Sequence, residues 1–425
     1  MKTKVLKNAA YGVAMAALVF SSACQQVEEP QIITNGETDV IPTDGLGDVI
    51  PGQWIVKFKD SDMKPSRQGR TVFTSRQDKA DYSEMARVNI TAEIEDFLAE
   101  EGIARDKVGA IWTAAVTGFV AQLSDREAEQ LRNNPMIEVV EPDIMVYPIQ
   151  YTEDKDQQPA ARGEAQTTPC GISNAGGPDT NGSAVGGAWA WVIDSGIDLD
   201  HPDLNVVTNS TYARSFVGGS ANDCNGHGTH VAGTIGAINN SIGVVGMVAG
   251  APVVPVRVFG CSGGSATSTI ISGINHAASY DLAGDVANLS LGGYYGSGCG
   301  NNSTYRSALF SLDNQSLVAI AAGNDASNAA LYQPACVNSS RIVTVASMTC
   351  GGSFSSFSNY NMNPVDYIAT GSSVYSTWVG GGYRTISGTS MATPHVAGIM
   401  LSRNAKPRTS GSVSNRGESY PKAVR

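Results

Sequence analysis

The apolar positions divide the chain into stretches of different character, and the first with regular structure lies between residues 51 and 147. There Trp54-Ile55-Val56-Lys57-Phe58 predicts a strand, and Thr91 predicts the cap of an amphipathic helix whose apolar stripe is Ile94, Phe97 and Leu98. Val116 to Leu123 predicts a further strand, Asp125 opens a helix carrying Ala128 and Leu131, and Met136 to Val140 returns as a strand before Glu141-Pro142-Asp143. With a strand at Val108 to Trp112 the order is β-α-β-β-α-β, the pattern of a small ferredoxin-like α+β domain. Residues 148 to 168 then turn polar and lose periodicity, which predicts an accessible linker.

From residue 169 to 425 the pattern changes. Runs such as Ala188-Trp189-Ala190-Trp191-Val192-Ile193, Val253-Val254-Pro255-Val256-Arg257-Val258 and Leu317-Val318-Ala319-Ile320-Ala321-Ala322 are apolar without alternation and are separated by helical stretches. Continuous apolar strands between helices predict a mostly parallel sheet covered on both faces, a three-layer α/β domain. Ligands on such sheets bind outside the carboxyl ends of the strands. After Gly398 the helical pattern soon meets Arg403-Asn404-Ala405-Lys406-Pro407, and a polar tail follows to Arg425, so little C-terminal packing is expected.

Ahead of these domains, residues 25–50 lack apolar periodicity and read as a linker. Residues 1–23 place Lys2, Lys4 and Lys7 before an apolar run from Ala9 to Phe20 and the small residues Ser21-Ser22-Ala23, which reads as an export signal peptide. The run is short for a bilayer span. Two cleavages fit: after Ala23, or before a lipid-modified Cys24, the second resembling a bacterial lipoprotein signal. The protein is therefore expected to be extracellular, or a cell-envelope lipoprotein before maturation, touching a membrane only through that lipid.

Composition narrows the partners. A net charge of -11 argues against nucleic acid, which needs clustered Lys and Arg to displace phosphate counterions. Apart from Cys24, the six cysteines all lie between Cys170 and Cys350, and an even number in an exported domain suggests three disulfides out of fifteen pairings. No C-x-x-C pair favours a structural zinc site.

Three polar residues, each with a glycine within two positions, carry the candidate chemistry. Asp194 ends the first long apolar run, His227 sits in Asn225-Gly226-His227-Gly228-Thr229-His230 at a helix start, and Ser390 sits in Ser387-Gly388-Thr389-Ser390-Met391-Ala392-Thr393-Pro394-His395 where a loop enters a helix. Pro394 has no amide hydrogen, so the Ser390 carbonyl lacks its usual helical donor and free amides lie beside the serine. Taken singly, the three would be a turn former, a loop residue and an N-cap. His227 and His230 could be drawn as zinc ligands, but no H-E-x-x-H glutamate accompanies them, and His395 reads as a packed residue below the serine.

Together the motifs resemble the subtilisin-like serine peptidases, family S8, with details similar to the proteinase K branch in Ser356-Phe357-Ser358-Asn359-Tyr360 and Tyr375-Ser376-Thr377-Trp378. That resemblance implies a secreted endopeptidase with Ser390 as nucleophile, His227 as general base and Asp194 orienting the base, working through an acyl-enzyme without a cofactor. Asn324, in Ala321-Ala322-Gly323-Asn324, matches the oxyanion donor. Substrate would lie as an added strand between Ser290-Leu291-Gly292 and Gly263-Gly264, with Ala321, Ala322 and Gly323 lining a pocket for a large apolar or aromatic side chain, so broad specificity is expected.

By the same resemblance, residues 51–147 are an inhibitory propeptide of the I9 type, which acts on the chain's own active site and is cut away within 148–168, leaving 169–425 as the catalytic domain and a monomer. Cys224 with Cys261 matches a bridge of the proteinase K branch; the remaining expected pairs are Cys336 with Cys350, a short loop, and Cys170 with Cys299. Structural calcium in surface loops is implied, with Asp366 at a matching ligand position. Two other functions compete: a processing protease with few substrates, which an acidic pocket rim would favour, and a silent binding protein, against which the intact triad argues.

Overall fold

The computed structural model describes residues 48–64, 73–147, 151–153, 165–181, 187–296, 299 and 303–425. The export signal, Cys24, most of the 25–50 linker and much of the 148–168 linker lie outside them. Residues from Thr43 onward form one compact unit.

The amino-terminal part of that unit runs β1 (Val49–Phe58), α1 (Arg76–Glu100), β2 (Val108–Trp112), β3 (Gly118–Gln122), α2 (Asp125–Arg132) and β4 (Ile137–Val146). Its strands form an antiparallel sheet in the order β2-β3-β1-β4, with Ile55 opposite both Val120 and Glu141. Helix α1 begins well before Thr91, which lies in its interior; Ser75 is the cap, its Oγ accepting from the Asp78 amide. The first turns bury Lys79, Ala80 and Ser83, and the partners of Lys79 and Ser83 are polar groups of the second domain. That is why an apolar periodicity cannot reveal them. Strand β4 also runs past its expected end to Val146, because Met145 and Val146 pair with Ala266 and Ser265 of the second domain.

The second domain contains β5 (Thr152–Glu153), α3 (Cys170–Asn174), β6 (Ala190–Asp194), β7 (Arg214–Ser215), α4 (His227–Gly236), β8 (Val253–Arg257), β9 (Ser265–Ala266), α5 (Thr267–Tyr280), β10 (Val286–Leu289), β11 (Gly293–Tyr294), α6 (Thr304–Leu312), β12 (Leu317–Ala321), β13 (Tyr332–Gln333) and β14 (Ile342–Met348). It continues through β15 (Val365–Thr370), β16 (Val374–Trp378), β17 (Gly382–Ser387), α7 (Thr389–Arg403), β18 (Arg408–Asn415) and β19 (Glu418–Val424).

Its main sheet has the order β18-β19-β15-β14-β12-β10-β6-β8-β7, and every neighbouring pair except β18 with β19 is parallel. Strand β6 is buried on both faces. Ala190 and Val192 join the core with α4 and α7, while Trp191 and Ile193 join the core with α5 and α6. Because β8 lies on one side of β6 and β10 on the other, chain connections diverge there and open a crevice at its carboxyl end, where Asp194 stands.

Two expectations are corrected. The C-terminal tail is not unpacked: β18 and β19 form a hairpin, β19 extends the main sheet beside β15, and Tyr420 is fully buried among Val365, Ile368 and Val413. Alternating polar residues such as Ser412, Ser414 and Ser419 hide this, because an edge hairpin buries only part of one face.

The disulfides are Cys170–Cys350, Cys224–Cys261 and Cys299–Cys336, so neither Cys336–Cys350 nor Cys170–Cys299 forms. Cys336 and Cys350 stand before and after the seven-residue β14, and a strand rising about 3.3 Å per residue holds them far apart. Pairing of β11 with β13 brings Cys299 toward Cys336, and Asn174 of α3 donates to the Cys350 carbonyl beside Cys170.

Candidate active site

Asp194 and His227 meet because α4 starts hard against the loop after β6. A Cβ on Gly228 would lie 2.1 Å from the Gly196 carbonyl oxygen, so only glycine allows that approach. Gly226 adopts φ +103° at the cap of α4, and a Cβ there would strike Trp378 at 2.4 Å. The result places His227 Nδ1 2.8 Å from Asp194 Oδ1, with both side chains 1 % exposed. The Asp194 oxygen also accepts from the Ser195 amide at 2.7 Å. Donation from Nδ1 to the carboxylate leaves Nε2 with its lone pair, and Nε2 is buried without a hydrogen-bond partner. Burial alone would lower the His227 pKa, but the charge and hydrogen bond of Asp194, with Asp223 behind, outweigh it and raise the value.

Asp223 is a residue that sequence reading missed. Fully enclosed, it accepts from the amides of Asn225, Gly226 and Thr229 and from the hydroxyls of Ser195 and Thr229, fastening the start of α4 to the β6 loop. Its signal was present, an aspartate just ahead of a helix whose cap is a glycine, but such residues are common in turns.

Ser390 is the second residue of α7 and is buried. The carbonyl freed by Pro394 finds a partner outside the helix, accepting from Ser290 Oγ at 2.9 Å, while Ser390 Oγ donates to the Ser290 carbonyl at 3.2 Å. Ser290, expected only as an edge of the cleft, thus also braces the helix start. Asn324 Oδ1 accepts from the Thr389 amide at 2.8 Å and the Thr389 hydroxyl at 2.9 Å. Because a backbone N–H can only donate, this fixes the amide orientation and turns Nδ2 toward Gly388, where a Cβ would come within 2.9 Å.

A cavity of about 320 Å³ opens beside these residues, lined by Gly292, Ala321, Ala322, Gly323, Asn324 and Tyr332 among others. Gly292 cannot carry a side chain, since its Cβ would meet the Gln333 carbonyl at 2.9 Å. Leu291 is buried below the cleft wall. On the opposite wall Gly263 and Gly264 both adopt φ +81°, and the Tyr147 ring covers Gly264 at contact distance.

The amino-terminal domain borders this cleft through Met145 and Tyr147 and grips the helices behind it. Glu141 accepts from the Thr304 amide at the start of α6, and Asp143 accepts from the Ser268 amide at the start of α5. Burial raises the pKa of both carboxyls despite those donors. Arg76 clasps Asp285 through two bonds of 2.6 and 2.7 Å, and Trp112 Nε1 donates to Ser272 at 2.8 Å.

Asp366 does not fit a calcium ion. Its Oδ2 accepts from Asn338 and from the Thr344 amide at 2.9 Å each, and Lys406 stands 3.8 Å from Oδ1. Among the described residues no group of three or more acidic, His or Cys side chains gathers to hold a metal. His230 is also engaged structurally: its Nε2 faces the Val374 and Arg384 carbonyls, and burial drives its pKa down to about 3. His395 hydrogen-bonds the Met391 carbonyl within α7 and packs on Gly171, with a pKa lowered by burial to about 4.

Comparison with known proteins agrees with this arrangement. Residues 190–412 match the subtilase family, and residues 53–148 match the peptidase inhibitor I9 family. The extracellular serine proteinase of a Thermus species is 32% identical over 392 residues, covering 90% of this chain and 87% of that protein. The subtilisin-like serine protease AsES of Sarocladium strictum is 37% identical, covering 68% of this chain and 71% of its own. Alkaline serine exoprotease A of Vibrio alginolyticus is 38% identical over 70% of this chain, a match that spans only 53% of the Vibrio protein. The chain therefore belongs to the subtilase family of serine proteases and carries an I9 inhibitor region ahead of its catalytic domain.

Proposed function

We propose that the protein is a secreted, self-processing endopeptidase in which Ser390 attacks the peptide carbonyl, His227 relays the proton and Asp194 holds the base. The observation that carries this reading is the 2.8 Å bond from His227 Nδ1 to buried Asp194, which leaves Nε2 unpartnered as a proton acceptor. The Ser390 hydroxyl spends its proton on the Ser290 carbonyl in this state, so attack requires rotation of Oγ toward Nε2. Negative charge on the substrate oxygen then meets Asn324 Nδ2 and the Ser390 amide at the start of α7. The resulting acyl-enzyme is released by water, again with His227 as base. This chemistry needs no metal or cofactor.

Specificity in this reading is broad. Small residues Ala321, Ala322 and Gly323 leave a cavity large enough for an aromatic or long apolar side chain before the cut. Residues 51–147 are the inhibitor, 148–168 the processing segment and 169–425 the mature domain, a monomer whose partners are peptide substrates and its own inhibitor region. The signal at 1–23, with cleavage after Ala23 or lipidation at Cys24, would export it; if lipidated, the self-cut frees the catalytic domain from the membrane. Ser390→Ala is the test. The purified variant should keep the mass of the exported precursor, whereas maturation of that variant in the absence of other proteases would overturn the reading.

A further inference from the structure

Residues 151–153, which follow the inhibitor domain, lie against the second domain beside His227. Strand β5 pairs antiparallel with β17, Glu153 opposite Ile386 and Thr152 opposite Ser387. Continued by one residue, that register sets Tyr151 opposite Gly388, two residues before Ser390. The Tyr151 ring is stacked on the His227 imidazole, with centroids 5.9 Å apart and planes 26° from parallel, and meets Trp378 edge-on at 6.1 Å. Trp378 is itself fixed against Gly226 at the start of α4. Two residues further along, Arg384 Nη1 donates to Glu153 Oε1 at 2.8 Å while its guanidinium covers the Trp378 ring at 4.6 Å. On the other side of the site, β4 pairs with β9 as far as Val146. These two pairings end at Val146 on one side and at Thr152 on the other, and the stacking sets Tyr151 beside the imidazole, where its nitrogen could receive the relayed proton as a leaving group.

We propose that the first self-cleavage releases Tyr151 as a new amino terminus, and that Arg384 is a specificity residue selecting an acidic side chain on the third residue after the cut. The proposal rests on the serine peptidase reading above. In the step, the Ser390 Oγ–acyl bond forms as the peptide bond preceding Tyr151 breaks, and the hydroxyl proton passes through His227 to the Tyr151 nitrogen. Water then supplies hydroxide to the acyl carbon and returns a proton to Ser390. Arg384 suits its role because the stacked Trp378 holds its fork in place, so less side-chain freedom is lost on binding a carboxylate.

The experiment is a refolding time course of the unprocessed chain followed by intact mass, reading the first complementary pair of fragments, whose masses sum to the precursor plus one water. The pair should divide ahead of Tyr151; a first pair divided anywhere else overturns the assignment. For Arg384, the matured enzyme is assayed on peptides carrying Glu, Ala or Lys three residues after the cut. Glu over Lys should be favoured roughly fivefold to tenfold in kcat/KM, mostly through KM, because a half-exposed ion pair contributes modestly. In Arg384→Glu the order should invert, and Glu153→Lys should restore the slowed self-cleavage of that variant. Equal rates on the three peptides, or a preference that survives Arg384→Glu, overturn the specificity role. A precursor that matures through Ser390 at another bond defeats only this proposal, whereas maturation of Ser390→Ala defeats the reading beneath it.

Discussion

The two faces of the main sheet are completed in different ways. The face toward α4 and α7, which positions Asp194, His227 and Ser390, has a core drawn from residues beyond 170, including Val192, Val231, Ile235, Met391 and Val396. The face toward α5 and α6 has a core that is shared, since Ile55, Trp112, Val120 and Val146 of the inhibitor region pack with Trp191, Ile271, Ile274 and Leu309. Charges follow the same division: Arg76 with Asp285 and Lys79 with Asp281 are buried pairs that cross to α5 and the loop after it. One face therefore holds Asp194, His227 and Ser390 on a core of its own domain, while the other is completed by the inhibitor region, the segment that the proposed self-cleavage would remove. A parallel sheet assembled from distant strands folds slowly, and the role proposed for the docked antiparallel domain is to supply part of the missing surface over α5 and α6 during assembly.

If that division is right, damage to the first face should alter rate without altering folding, and damage to the second should do the reverse. The largest effect should come from Asp194→Asn. Loss of the carboxylate that sets the imidazole tautomer is expected to slow self-cleavage by roughly 10⁴-fold while refolding yield and circular dichroism stay unchanged. Trp112→Ala should remove a fully buried indole and its bond to Ser272, costing about 3–5 kcal/mol at the shared core. Folded yield should drop sharply, yet kcat/KM of the enzyme that does mature should equal that of the parent, because residue 112 is gone.

Arg76→Ala should come next. Removing one partner of a buried pair costs about 3 kcal/mol at the low end of the usual range, which is the relevant end because Asp285 keeps donors from Trp189, Trp191 and Leu282 within its own domain. The inhibition constant of the separated inhibitor region should rise by a factor of roughly 100, read by titration against the mature enzyme.

The smallest effect is one of pH. Glu141 and Asp143 have pKa values raised in the docked state, so docking takes up protons in the window just above the ordinary carboxylate range. Affinity of the inhibitor region should be greatest below that window and decline as pH rises through the raised values. Glu141→Gln should flatten the slope. His227 on the other face has its pKa raised as well; in the proposed mechanism protonated His227 cannot accept from Ser390, so self-cleavage should accelerate as pH climbs through the imidazole range.

The sequence revealed most where a feature satisfies itself locally. The β-α-β-β-α-β order, the apolar strands of the main sheet and the motifs around Asp194, His227 and Ser390 all advertise themselves through neighbours in the chain. Features whose partners are distant stayed hidden. The first turns of α1 look polar because Lys79 and Ser83 face Asp281 and Ser279, and the end of β4 looks like a loop because its partner is β9. Cys224 with Cys261 forms as expected, but the other two pairings failed for the same reason: closeness in sequence suggested Cys336 with Cys350, and an entire strand separates them in space. Asp366 had the right residue type for calcium and the wrong surroundings, with Lys406 and Asn338 where further oxygens would be needed.

The most direct test of the account is covalent labelling of the matured enzyme with an organophosphorus fluoride, which reacts only with an activated hydroxyl. A single adduct on the peptide containing Ser390, with loss of peptidase activity in step with labelling, is the result predicted. An adduct on another residue, or full peptidase activity remaining after Ser390 is labelled, would contradict it.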